Sequence, residues 1–319
     1  MTEFSEPCQR RNFVGDTAQQ KQLAALINKG SLLNGWLITG GEGAGKATLA
    51  YRLARQILGD TEQSNNLIEK SSHPDLFLAE RLYDEKKDVY ASEIKVETIR
   101  KLTSFLSHTP SMGGWRVAII DTADHLNRNA ANALLKILEE PPRKTTLFLL
   151  SASPGRLLPT IRSRCRRIDL RPLSNAAVGE FLEGEGVAPE DEVIAAAKGR
   201  PGYALTLGQT SGLDAIKLVV SFLAEANGGN VMPVVQKLSL KASDELWPIF
   251  KIHLRQRLGE AIRSEVVNNG NAETVEVMTS VYDDITQLFA RGEAINTDRG
   301  QMLLQAARLI SNTGFKAVA

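Results

Sequence analysis

At 319 residues the chain is long enough for two or three domains, and 43% hydrophobic with 24% charged residues is the composition of an ordinary globular protein. Lys and Arg number 38 against 37 Asp and Glu, so no global basic field points to nucleic acid. Apolar runs stay well short of the ~18 residues of a membrane span, and Cys8, Cys165 and four scattered histidines (His73, His108, His125, His253) offer neither a disulfide framework nor the spacing of metal ligands.

The N-terminal MTEFSEPCQRRNF lacks the apolar stretch of a signal peptide, so a cytoplasmic protein with reduced thiols is expected. A short strand, Trp36-Leu37-Ile38-Thr39, runs into the glycine-rich stretch Gly40-Gly41-Glu42-Gly43-Ala44-Gly45-Lys46-Ala47-Thr48. Leu49, Leu53 and Ile57 then share one helical face, and Gly59 ends that helix. A loop rich in Ser and Asn leads to a second strand at 75–79. Val96, Ile99, Leu102 and Leu106 line a helix stopped before Pro110. The third strand, 117–120, ends in Asp121; Ala130, Leu134, Ile137 and Leu138 line a helix ended by Pro141-Pro142. Residues 146–150 and 167–170 are the fourth and fifth strands. Strands that are apolar on both faces and alternate with helices predict a doubly wound α/β domain, a parallel sheet with helices on both faces, over residues 1–170.

After Leu173 the strands stop. Residues 171–208 read as a small helical domain with helices at 176–182 and 191–198. From 209 to 319 the pattern is all-α, with helices at 213–226, 231–238, 243–267, 272–290 and 297–310 punctuated by Gly228-Gly229-Asn230 and Asn268-Asn269-Gly270-Asn271. Leu218, Phe222, Leu303, Ala306, Ala307 and Ile310 are its expected core.

The glycine stretch nearly matches the phosphate-binding loop G-x-x-x-x-G-K-[ST]. In such a P-loop the backbone N–H groups around Gly40, Gly43 and Gly45 and the following helix N-terminus surround a phosphate, and Lys46 neutralises the β- and γ-phosphates. The match breaks at Ala47, where a Mg²⁺-ligating hydroxyl belongs; Thr48 offers one a residue later and ~100° further around the helix. Asp121, at the end of an apolar strand, suits the Mg²⁺ shell. Thr122 stands where hydrolysing enzymes of this architecture carry a glutamate that polarises water, and Asp124 comes two residues too late. Losing such a base typically costs ~10²–10⁴ in rate. Gly40, Gly43, Gly45, Lys46, Thr48 and Asp121 therefore make up a degenerate site for ATP and Mg²⁺, with binding conceivable, turnover not expected, and no cofactor required.

The block RVAIIDTADHLNRNAANALLKILEEPP, followed by LLPTIRSRC, resembles the clamp-loader branch of the AAA+ proteins, to which subunits of bacterial DNA polymerase III belong. The resemblance runs from Phe13-Val14-Gly15 to about Leu207 and continues weakly to Asn296-Thr297-Asp298-Arg299-Gly300-Gln301. It implies a P-loop AAA+ core at 1–170, a lid at 171–208 and a helical collar for oligomerisation at 209–319. It also implies a hetero-pentamer with delta and gamma or tau subunits, which opens a ring-shaped sliding clamp and places it on primer–template DNA, with no membrane involved.

Taken alone, Arg164 is one of a solvated basic cluster with Arg162, Arg166 and Arg167. Within Ser163-Arg164-Cys165 it matches the family's SRC motif, whose arginine acts as a finger in the ATP site of the neighbouring subunit. The resemblance also places Phe13-Val14-Gly15 beside adenine, and Ser151 or Ser153 at the sensor of the γ-phosphate. Two departures matter. The four zinc-binding cysteines of many relatives are missing from 59–75, so no zinc is expected; and Gly202, in GRPGYAL, takes the place of the arginine that the lid lends to nucleotide in the same chain, with Arg200 out of register. Ala47, Thr122 and Gly202 together remove hydrolysis in cis while Arg164 is kept for service in trans. Two rival readings are an ATP-hydrolysing motor subunit of the same loader and a P-loop kinase or transferase; for the latter the helical C-terminal third offers no base.

Overall fold

The structure, a computed structural model, describes residues 6–11, 13–15, 25–26, 33–84, 89–209, 211–268, 271–295, 297–311, 313 and 315. Of the stretches singled out above, residues 1–5 and 12 of the N-terminal MTEFSEPCQRRNF, Asn269-Gly270 and Asn296 lie outside them. The chain divides into two compact units, Met1–Gly186 with Ala197–Ala204, and Val187–Ala196 with Leu205–Ala319.

The first unit runs β1 (Gly35–Thr39), α1 (Lys46–Leu58), α2 (Glu62–Glu69), β2 (Leu76–Glu80), β3 (Tyr83–Asp84), β4 (Val89–Tyr90), α3 (Val96–Ser107), β5 (Arg116–Asp121), α4 (Arg128–Glu139), β6 (Thr145–Ser151), α5 (Pro159–Arg164), β7 (Arg166–Asp169) and α6 (Asn175–Gly184). Five strands form one parallel sheet in the order β2-β5-β6-β1-β7. The period-two alternation of these strands divides their side chains between two cores. Leu37, Ala118, Ile120, Leu147 and Leu149 pack with Ile99, Leu102, Leu134 and Ile161 of α3, α4 and α5 on one face. Trp36, Ile38, Val117, Ile119, Phe148 and Leu150 pack with Leu49, Leu53 and Ile68 of α1 and α2 on the other. The expected mixed α/β core with helices on both faces is thus present.

Three local features depart from the expected elements. The Ser- and Asn-rich segment forms α2, because the Thr61 hydroxyl accepts the Ser64 N–H at its start and Asn65 Nδ2 donates to Asp60 Oδ1 at 2.7 Å, although Ser64 Oγ and Asn65 Oδ1 are buried without a partner. An antiparallel ribbon, β3–β4, was not foreseen. The fifth strand starts and ends one residue earlier than its apolar pattern, at Arg166 and Asp169, and pairs with β1.

Next come α7 (Asp191–Ala197) and α8 (Pro201–Gln209), the latter with Pro201 at its first position, where a missing N–H is harmless. The helical second unit continues with α9 (Gly212–Ala226), α10 (Met232–Ser239), α11 (Leu246–Val267), α12 (Ala272–Ala294) and α13 (Arg299–Ser311). Leu218, Phe222, Leu303, Ala306, Ala307 and Ile310 are all buried, as their spacing predicts. Phe222 meets Phe250 edge-on at 5.6 Å, and Trp247 stacks on Phe250 and donates its indole N–H to Glu293 at 3.0 Å. Among the described residues, no helix is long and apolar enough to cross a membrane.

Candidate functional site

A parallel sheet brings the C-terminal ends of its strands to one edge, and the loops that follow them share that edge. Thr39, Glu80, Asp121, Ser151 and Asp169 end the five strands. The loop after β1 folds back to open α1, with Ala44 N–H donating to Gly41 O at 3.1 Å. Lys46, the first residue of α1, donates its ammonium to Gly40 O at 2.8 Å and Gly41 O at 3.0 Å. Desolvation lowers its pKa, against the opposing pull of Asp121, Glu42 and Asp124. Ala47 packs against the core beneath α1, which explains an apolar residue where a hydroxyl was sought; Thr48 is half-buried on the same helix. The Phe13 ring sits beside the loop, 3.1 Å from where a Cβ on Gly45 would lie.

The residues at and after the position of a water-activating glutamate are engaged elsewhere. Thr122 donates its hydroxyl to Asp121 Oδ1 at 3.0 Å. Asp124 lies in a 3₁₀ turn, Ala123–His125, and accepts from Ser151 Oγ at 2.6 Å, Ala152 N at 2.7 Å and Ser153 N at 3.2 Å. Of the two candidate sensor serines, Ser151 therefore commits its hydroxyl to Asp124, whereas Ser153 offers only its backbone. Glu80, which the sequence reading missed, faces Asp121 across the β2–β5 register. Desolvation and then the Asp121 and Glu6 charges push its carboxyl up. Only the strand order shows this pair, and the order is not a local property of either segment.

The start of α8 closes over the loop. Gly202 N–H donates to Gly43 O at 2.8 Å, and a Cβ on Gly202 would come within 3.0 Å of that oxygen. Tyr203 is 4% exposed, its hydroxyl pushed up to about 12 by burial, and the Arg200 guanidinium lies 4.4 Å from its ring centre. An arginine at 202 would have to begin its side chain where loop backbone already stands. Gly43 is constrained from both sides: its φ is +78°, and an added Cβ would lie 2.5 Å from Tyr203 N. Gly43→Ala is therefore expected to destabilise the protein by more than the ~1–2 kcal/mol of left-handed backbone alone. Urea denaturation checks this through the shift in midpoint.

Arg164 is elsewhere. It ends α5, one residue (Cys165) ahead of β7, and its carbonyl lies 3.2 Å from the Cβ position of Gly35, the first residue of β1. The glycine loop follows the last residue of β1, so Arg164 and the loop sit at opposite edges of the sheet, separated by roughly the 3.3 Å per residue of a five-residue strand. The guanidinium pairs with Glu139 at 2.8 Å while 37% of the side chain stays exposed. Nearby, Arg167 pairs with Asp169 at 2.7 Å and Arg166 lies 5.6 Å from the Trp36 ring centre. Burial raises the Cys165 thiol to about 11, which suits packing and not nucleophilic chemistry. Among the described residues, no group of three or more His, Cys, Asp or Glu is placed to hold a metal ion.

The family profile of "DNA polymerase III, delta subunit" matches residues 15–174, half of the chain. The delta' subunit of Pseudomonas aeruginosa is 34% identical over 197 residues, covering 57% of this chain and 58% of that protein. Its Escherichia coli counterpart is 33% identical over 216 residues, covering 64% and 63%. The tau subunit of Escherichia coli is 27% identical over 263 residues, covering 72% of this chain and 41% of that protein. The chain thus spans about three fifths of the length of the delta' relatives it matches. With its profile match and these relatives, the chain belongs to the DNA polymerase III delta subunit family, homologous to the delta', gamma and tau subunits in the clamp-loader branch of the AAA+ proteins.

Proposed function

We propose that the chain is a delta'-type, non-hydrolysing subunit of a DNA polymerase III clamp loader that lends Arg164 to the ATP site of a neighbouring subunit. The observation that carries this reading is the placement of Arg164 at the end of β1 opposite the chain's own glycine loop, a position that supports service to a site outside this α/β core. Further support comes from the loop itself. Ala47 supplies no hydroxyl, Thr122 is no base, and Gly202 brings backbone and not a guanidinium to Gly43. The partners are delta and gamma or tau subunits, the sliding clamp, and primer–template DNA reached through the complex in the cytoplasm. Residues 1–170 act as the P-loop AAA+ core, 171–208 as the lid and 209–319 as the collar. Nucleotide, if it enters, uses Gly40, Gly43, Gly45, Lys46, Thr48 and Asp121 without being consumed, and no zinc takes part.

A second reading, an ATP-hydrolysing motor subunit, draws on the likeness to tau and on the preserved lysine of the loop. ATP hydrolysis by the purified chain separates the two. The expected result is turnover indistinguishable from background. Robust turnover that disappears in Lys46→Ala would establish the motor reading instead.

A further inference from the structure

Arg164 is anchored within its own chain. Its Nη2 pairs with Glu139 Oε1 at 2.8 Å, and its Nη1 donates to Thr160 O at 3.1 Å. Glu139 is the last residue of α4 and Arg164 the last of α5. The two helices share one core through Leu134, Ile137, Leu138 and Ile161, so both side chains leave a packed base at a fixed spacing. A carboxylate at a helix C-terminus is poorly placed on electrostatic grounds, since it adds to the negative end of the helix dipole; a guanidinium beside it relieves that conflict. An unheld arginine samples many rotamers, and a finger that must meet a phosphoryl group in one geometry gains from being oriented beforehand. The guanidinium has five N–H donors in a planar fork, so these contacts still leave donors for an anion. Both partners are partly exposed, so their attraction is weak enough for the guanidinium to be shared with a phosphate.

We infer that Glu139 is the positioning residue of the Arg164 finger, holding the guanidinium in the orientation from which it engages the triphosphate of the neighbouring subunit. This rests on the reading of Arg164 as a finger in trans. The test is steady-state ATP hydrolysis, with ATP varied, by loader reconstituted from this chain, its partner subunits, the sliding clamp and primed DNA. Glu139→Ala is expected to lower kcat at the served site by about 3- to 10-fold with KM for ATP unchanged. Glu139→Gln, which keeps an acceptor oxygen of the same shape, is expected to recover most of that loss. In an Arg164→Ala background, Glu139→Ala should have no further effect, because the group it positions is gone. Gel filtration and thermal melts of each variant establish equal assembly and folding. A wild-type kcat in Glu139→Ala beside a slow Arg164→Ala loader would overturn the positioning role and leave the finger standing. An equal fall in the Arg164→Ala background would overturn it too, since Glu139 would then act on something else. Wild-type rates in Arg164→Ala itself would be the failure of the underlying reading, distinguishable because the finger variant alone reveals it.

Discussion

If Arg164 is the finger proposed above, Arg164→Ala is expected to slow ATP hydrolysis at one neighbouring site by about 10³–10⁵-fold, the usual worth of an arginine finger. The loss falls on one site, so DNA- and clamp-stimulated hydrolysis by the whole loader drops by that site's share. Folding should be untouched: the side chain is part exposed and its ion pair is of the weak surface kind, so stability moves by no more than about 0.5 kcal/mol. Arg164→Lys should not rescue the rate, because an ammonium is a point charge and cannot present two parallel N–H groups to phosphate oxygens. Single-turnover hydrolysis by loader of verified stoichiometry checks both statements.

Arg116→Met is expected to destabilise the protein by about 2–4 kcal/mol while leaving the site edge of the sheet intact. Arg116 opens β5 and is only 6% exposed. Its guanidinium donates to the carbonyls of Leu106 and His108, to Arg143 O at 3.3 Å and to Thr145 Oγ1 at 3.3 Å. Leu106 lies in the last turn of α3, whose carbonyls have no partner within the helix, so this one side chain caps α3 and ties the strand starts of β5 and β6 together. Methionine fills similar volume and donates nothing, leaving the buried Leu106 carbonyl without this donor and the part-buried carbonyls of His108 and Arg143 to water. Urea unfolding measures the cost; a midpoint shift equivalent to less than about 1 kcal/mol would mean that water takes over the carbonyls.

The strands and long helices were legible because their signals are local. Val117–Ile120 and Leu147–Leu150 are apolar at every position, and the spacing of Ile99, Leu102 and Leu106 fits one helical face. Helix α2 was missed because Ser64 and Asn65 look like loop residues until Thr61 is seen to cap the helix through the Ser64 N–H and Asp60 to accept from the Asn65 amide. The glycine loop and the SRC motif could be read directly, but their relation could not. That Arg164 and Gly43 lie at opposite edges of the sheet follows from β7 pairing with β1, a contact between segments about 130 residues apart. The same holds for Glu80 against Asp121 and for Asp124 against Ser151, where pairing decides which carboxylates meet which partners. The backbone contact between Gly202 and Gly43 likewise gives a spatial reason for a glycine that the sequence marks only as an absent arginine.

Steady-state ATP hydrolysis by the reconstituted loader, with this chain carrying either Lys46→Ala or Arg164→Ala, tests most directly whether the subunit serves a neighbour and not itself. The lysine variant disables only the chain's own loop, and the arginine variant only what it lends. The expected result is the wild-type rate with Lys46→Ala and a rate lowered by one site with Arg164→Ala. A fall with Lys46→Ala beside an unchanged rate with Arg164→Ala would contradict service in trans and make this chain a motor in its own right.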